Sequence, residues 1–241
     1  MNIGPPNLLD AFKLFGTRLF TVAKDHPNAE VPACPGWNMS DLVSHVGSVY
    51  GAVEQVISLD STDRPSVPFP TPPDQEVLNW ARNNFQNLTH IFSDIAPVHP
   101  IWTWGREQNV GWFVRRMAHE TLVHMWDAET SAQEHISVDG DIAMDGINEF
   151  IDGPLQFSLR PDIELFYPNG SVHLHRTDGD GEWLLQPTTH GLSVRYAHEK
   201  GDIAVRGSAM NLLLYLWGRH PQEIETFGDE DLVAEWAQQA P

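Results

Sequence analysis

Apolar positions in the first half of the chain repeat at helical spacing. Between residues 6 and 24, Leu8, Phe12, Phe15, Leu19 and Val22 fall at alternating intervals of four and three, which predicts an amphipathic helix. The prolines of "HPNAEVPACPGW" end it. Asn38 then stands as an N-cap, with Asp41 three residues on as its capping-box partner. The helix opened there is expected to reach about residue 58. Five prolines between residues 61 and 74 exclude helix and central strand, so this segment reads as a surface loop. Further helices are predicted over about 75–94 and 108–134, and four helices with connections of mixed length suggest a four-helix bundle.

From about residue 160 the pattern shortens. "DIELFYP", "SVHLHRT", "GEWLLQP" and "LSVRYAH" are β-rich or alternating stretches separated by Gly, Asn and Asp. "DGDGE" is a turn and "DIAVRG" a candidate fifth strand. "SAMNLLLYLWGR" reads as a helix with Ser208 near its start, and "DEDLVAEWAQQ" as a closing helix. With a helix near 139–152 leading in, the expectation is a two-domain α+β chain. Residues 1–137 form a four-helix bundle, and residues 138–241 a smaller α+β domain with a short, mostly antiparallel sheet.

Charge narrows the partners. The formal net charge is −19, from 14 basic and 33 acidic residues, and no Lys/Arg stripe interrupts it. Such a surface repels phosphate backbones and anionic lipid, so neither nucleic acid nor membrane is an expected partner. No stretch approaches the roughly 18 uninterrupted apolar residues of a membrane span. One cysteine, Cys34, excludes an internal disulfide framework. The N-terminus lacks a basic start followed by an apolar run, and a cytoplasmic protein, monomeric or weakly dimeric, is expected. The nine tryptophans read mostly as core.

The chemistry gathers in "RRMAHETLVHMWDAE", residues 115–129. It holds His-Glu-x-x-x-His, one residue longer than the zinc-protease signature. Each helical residue advances about 100°, so His119 and His124 stand about 140° apart and cannot face one ion. Glu120 and His124, four apart, lie only about 40° from each other on one face. Arg116 sits one turn before Glu120, where ion pairing, a supporting role or a catalytic one are all open. Arg115 or Arg116 could also pair with Asp127. The second helix offers His45 as a third ligand, with Asp41 one turn earlier as a candidate to orient its ring. Two His and one carboxylate suit zinc with one open position, and other divalent ions too.

These residues resemble a known family. "VPACPGWNMSDLVSHVG" and "WFVRRMAHETLVHMWDAE" are similar to the actinobacterial mycothiol-dependent maleylpyruvate isomerase family, whose N-terminal domain is a DinB-like metal-binding four-helix bundle. "VRGSAMNLLLYLWGR" resembles part of that family's C-terminal domain. The resemblance implies metal ligation by His45, Glu120 and His124, with zinc the expected ion. It implies that Arg219, in the "GR" element, serves activity and cofactor binding by gripping a carboxylate of thiol or substrate. It further implies mycothiol or a similar thiol bound as thiolate, acting on a small electrophile as isomerase or S-transferase. The residues themselves leave open a metal-dependent hydrolase and a non-catalytic metal- or ligand-binding protein.

Other candidates read more plainly. His119 is expected at the surface or between domains, and Met125 and Trp126 as bundle core or pocket wall. Cys34 reads as a packed loop thiol with no base beside it. His173 and His175 alternate on one strand face. With no third ligand in view, they read as a solvated face.

Overall fold

A computed structural model describes residues 5–73, 75–156 and 165–239. They fall into two compact units, one ending at Ser137 and the other beginning at Val138.

The first unit holds α1 (Pro5–Asp25), α2 (Met39–Ser58), α3 (Val77–Asp94) and α4 (Val110–Ala132). The predicted stripe of α1 is its buried face: Leu8, Phe12, Phe15, Leu19 and Val22 are each at most 2% exposed. Phe12 meets Tyr50 edge-on at 5.6 Å and Phe85 at 5.0 Å, so the aromatic centre ties α1 to α2 and α3. A Cβ on Gly16 would stand 2.2 Å from the Phe85 ring, so α1 approaches α3 as only glycine permits. α1 also packs along α4, where Arg18 donates to the buried Glu129 at 2.6 Å. The proline segment forms no regular element among its described residues.

The second unit begins with α5 (Gly140–Asp152), then β1 (Val172–Arg176), β2 (Glu182–Thr188), β3 (Gly191–Arg195) and β4 (Ile203–Gly207). It ends with α6 (Ala209–Leu216), β5 (Ile224–Phe227) and α7 (Glu230–Trp236). The sheet order is β3-β2-β1-β4-β5. Three pairings are antiparallel, and β1 with β4 is parallel. Leu174, Leu185 and Val205 are fully buried, as are Leu212 and Leu213 of α6, which packs with α5. Ser208 caps α6, accepting from Asn211 N at 3.3 Å.

Three expectations change. Of "DIELFYP", residues 162–164 lie outside the described residues, and 165–168 form no strand. β5 was not expected: it is a four-residue edge strand whose exposed side chains carry no alternation for the sequence to show. Of the nine tryptophans only Trp183, Trp217 and Trp236 are buried, and the other six are half-buried. Buried indoles need polar partners: Trp183 Nε1 donates to Asn148 Oδ1 at 2.8 Å and Trp236 Nε1 to the Gly170 carbonyl at 3.0 Å.

Candidate metal centre

Two capped helices deliver the polar cluster of the bundle. Asn38 Oδ1 accepts from Ser40 N at 2.8 Å and Asp41 N at 3.2 Å, and Asp41 accepts from Asn38 N at 2.9 Å. This completed capping box fixes where α2 starts, and so which way His45 faces. Asn109 caps α4 by accepting from Trp112 N at 3.0 Å. Fifteen of the 23 residues of α4 are buried, so its polar residues must find partners inside.

They do. His45 Nε2 lies 3.2 Å from Glu120 Oε1, and His124 Nε2 lies 3.3 Å from the same oxygen. The two imidazoles meet edge-on with centroids 4.8 Å apart. The other oxygen, Oε2, accepts from Arg116 Nη2 at 2.6 Å. Behind His124, Nδ1 lies 2.9 Å from Asp127 Oδ2. One ligand atom from each of His45, Glu120 and His124 falls within 4.8 Å of the others.

The electrostatics follow from this crowding. Burial alone would raise the Glu120 carboxyl. Hydrogen bonds from His124 and His45, with the charges of His124 and Arg116, override it and hold Glu120 well below the usual carboxylate range. Burial alone would lower His124, but hydrogen bonds to Asp127 and Glu120 push it up to about 9. An imidazole that ligates a cation must give up the proton on its donor nitrogen, so cation and proton compete here.

The donor set fits a divalent cation. Two imidazole nitrogens and one carboxylate oxygen converge, and outer partners fix the carboxylate and one ring, as ligands of zinc-class ions require. The His45 side chain is 37% exposed against 10% for His124, so the cluster opens toward solvent on the α2 side.

Several residues stand elsewhere than expected. Asp41 serves the helix cap and not the His45 ring; Trp37 packs on that ring, at 5.2 Å. His119 is fully buried rather than superficial, because α4 is enclosed on most sides. Met125 is core, as expected, whereas Trp126 is half-buried against His135. Arg219 follows α6, and its Nη1 donates to the Trp217 carbonyl at 2.6 Å, a cation at a helix C-terminus. Cys34 does have a carboxylate beside it: Sγ stands 3.7 Å from Asp127 Oδ2, across 93 residues of sequence. The Asp127–His124 pair was open to sequence reasoning through its i,i+3 spacing, whereas the Cys34 contact was not. In the second unit, the solvated strand face expected at His173 and His175 is instead a cluster with Glu182 and His198, and His173 is buried.

Comparison with known proteins agrees with this architecture. Residues 10–129 match the family model of the mycothiol maleylpyruvate isomerase N-terminal domain, and residues 141–235 match that of the MDMPI C-terminal domain. A crystal structure of a mycothiol-dependent maleylpyruvate isomerase, and one of its histidine-to-alanine mutant, superpose with a TM-score of 0.61. Each is 14% identical over 93% of both chains. At that identity the likeness establishes the fold. No curated protein sequence matches the chain. Two domain models in series over most of its length show that the chain belongs to the mycothiol-dependent maleylpyruvate isomerase family.

Proposed function

We propose that the chain is a metal-dependent enzyme that uses a low-molecular-weight thiol, mycothiol, to isomerise a small electrophilic substrate. The observation that carries this reading is the convergence of His45 Nε2 and His124 Nε2 on one oxygen of Glu120. Residues 1–137 would be the metal-binding domain, and 138–241 the domain that carries Arg219.

His45, Glu120 and His124 would hold the cation, with zinc the ion best suited to the set. When bound, such an ion lowers the pKa of a coordinated thiol, so that thiolate is present near neutral pH. The chain's residues do the rest. Arg116 occupies one Glu120 oxygen and leaves the other turned to the histidines, which makes it a positioning residue. Asp127 holds His124 through Nδ1 and keeps Nε2 directed at the site. The half-exposed His45 borders the side from which thiol and electrophile would enter. A carboxylate grip by Arg219 rests on the family resemblance and on the forked guanidinium.

Turnover of a cis-configured electrophilic dicarboxylate, followed with and without thiol, tests the reading. Isomerisation that needs thiol in catalytic amount supports it. Thiol consumed mole for mole with product identifies an S-transferase using the same site. Conversion that persists unchanged without any thiol overturns thiol dependence and favours a hydrolase.

A further inference from the structure

We propose that the C-terminal domain carries a second transition-metal site, a closed four-ligand centre of the zinc class formed by His173, His175, Glu182 and His198. It shares no residue with the bundle cluster and does not depend on the function proposed above.

The sheet builds this cluster by register. His173 and His175 are two apart on β1, so both project from one face. β1 and β2 pair antiparallel with His175 opposite Glu182, which brings the carboxylate between the two rings. His198 arrives from the segment after β3. His175 Nδ1 lies 2.8 Å and His198 Nδ1 2.9 Å from Glu182 Oε1, while His173 Nε2 contacts Oε2. Ring centroids of the three histidines lie 5.3 to 6.0 Å apart. One ligand atom from each of the four residues falls within 4.8 Å of all the others.

The donor chemistry selects the ion. Three imidazoles and a carboxylate, without thiolate, suit zinc and its first-row neighbours rather than calcium or magnesium, which prefer oxygen shells. A tetrahedral shell with bonds of about 2.0–2.1 Å separates its ligand atoms by roughly 3.3 Å. The His175 and His198 contacts with Glu182 would therefore open by about half an ångström on loading. The side chains can give that much. His198 is 77% exposed and able to swing, while the 9% exposed His173 anchors the set.

All four positions come from the protein, which marks a structural centre rather than a catalytic one. It would tie β1, β2 and the segment after β3 together. Glu182 and His198 also line a cavity of about 780 Å³ with Asp141, Arg176 and Asp178, so the same ion would fix one wall of that cavity.

Metal counting on the full-length protein tests this. The protein is stripped with chelator, reloaded with zinc, and passed through gel filtration. We expect two zinc ions per chain for the wild type. His175→Ala with His198→Ala should leave one, His45→Ala with His124→Ala should leave one, and the fourfold variant none. Cobalt loading should give an intense tetrahedral visible absorption that His198→Ala alone abolishes or strongly reduces in the bundle-disabled chain. Because His198 is exposed, that variant should unfold at an unchanged denaturant midpoint when metal-free. If the wild type holds one ion, lost with His198→Ala and kept with His45→Ala, the sheet site stands and the bundle reading fails. Zinc content unaffected by His175→Ala with His198→Ala, or no zinc retained once the bundle ligands are removed, overturns the proposal.

Discussion

Both units gather histidines around a single glutamate, but by opposite means. In the bundle, Glu120 and His124 come from one helix turn and His45 from 75 residues away, so the cluster exists only when α2 and α4 are packed. In the sheet, His173, His175 and Glu182 fall within ten residues and meet through hairpin pairing alone. Their surroundings differ as well. Glu120 is 13% exposed and has Arg116 on its second oxygen, with Asp127 behind His124. Glu182 is 24% exposed, and both of its oxygens face imidazoles. A buried carboxylate needs built-in charge partners, whereas a half-exposed one can rely on solvent. The first arrangement leaves a side open toward solvent, and the second closes on itself.

The contrast can be broken most sharply at the bundle. Glu120→Gln or His124→Ala should abolish metal uptake there and reduce thiol-dependent turnover by more than about a hundredfold, exceeding the loss expected from outer partners. Metal content and steady-state rates check this. Asp127→Asn keeps the ligands but loosens His124, so metal affinity should fall about 10–100-fold with the fold intact, as read by competition with a chelator.

Stability separates the two clusters next. Arg116→Leu strips the mostly buried Glu120 of its guanidinium and leaves only the two histidines beside it, which should cost about 2 kcal/mol or more in metal-free protein, measured by urea unfolding. Glu182→Gln, facing two solvent-accessible rings besides the buried His173, should cost about 1 kcal/mol or less. Equal costs would mean that burial does not distinguish the sites.

The smallest effect concerns acid. Burial alone would raise the Asp178 carboxyl. Hydrogen bonds from Arg176 and from Ala209 N, at 2.8 and 3.0 Å, hold it below its ordinary value. A depressed folded-state pKa contributes stability that is present above the unfolded value, near 3.8, and is lost as pH falls through the folded one. Asp178→Asn should therefore flatten the decline of the urea midpoint below about pH 4, by a modest amount because the side chain is 40% exposed. Unfolding curves at pH 5 and pH 3 provide the check.

What the sequence revealed depended on the range of the interaction. The stripe of α1, the Asn38–Asp41 capping box and the shared face of Glu120 and His124 are decided within a turn or two of helix. All three were legible. The burial of His119 was not, because one residue's pattern does not say how many neighbours enclose a helix. Glu182 and His198 escaped notice for a related reason. Strand spacing pairs His173 with His175, but the third and fourth partners appear only once β1 and β2 are in register and the chain has turned after β3. Cys34 beside Asp127 is longer in range still, and no local rule reports it.

The capping box at the start of α2 also sets how the gene can vary in length. His45 lies seven residues beyond Asn38, and one residue inserted between them would swing the imidazole about 100° from Glu120. The proline-rich connection between α2 and α3 has no such phase to keep, since loop length costs little and neither helix is turned by it. Insertions and deletions across residues 61–73 should therefore leave metal uptake by the bundle intact, while a single codon gained between 39 and 44 should silence that site alone.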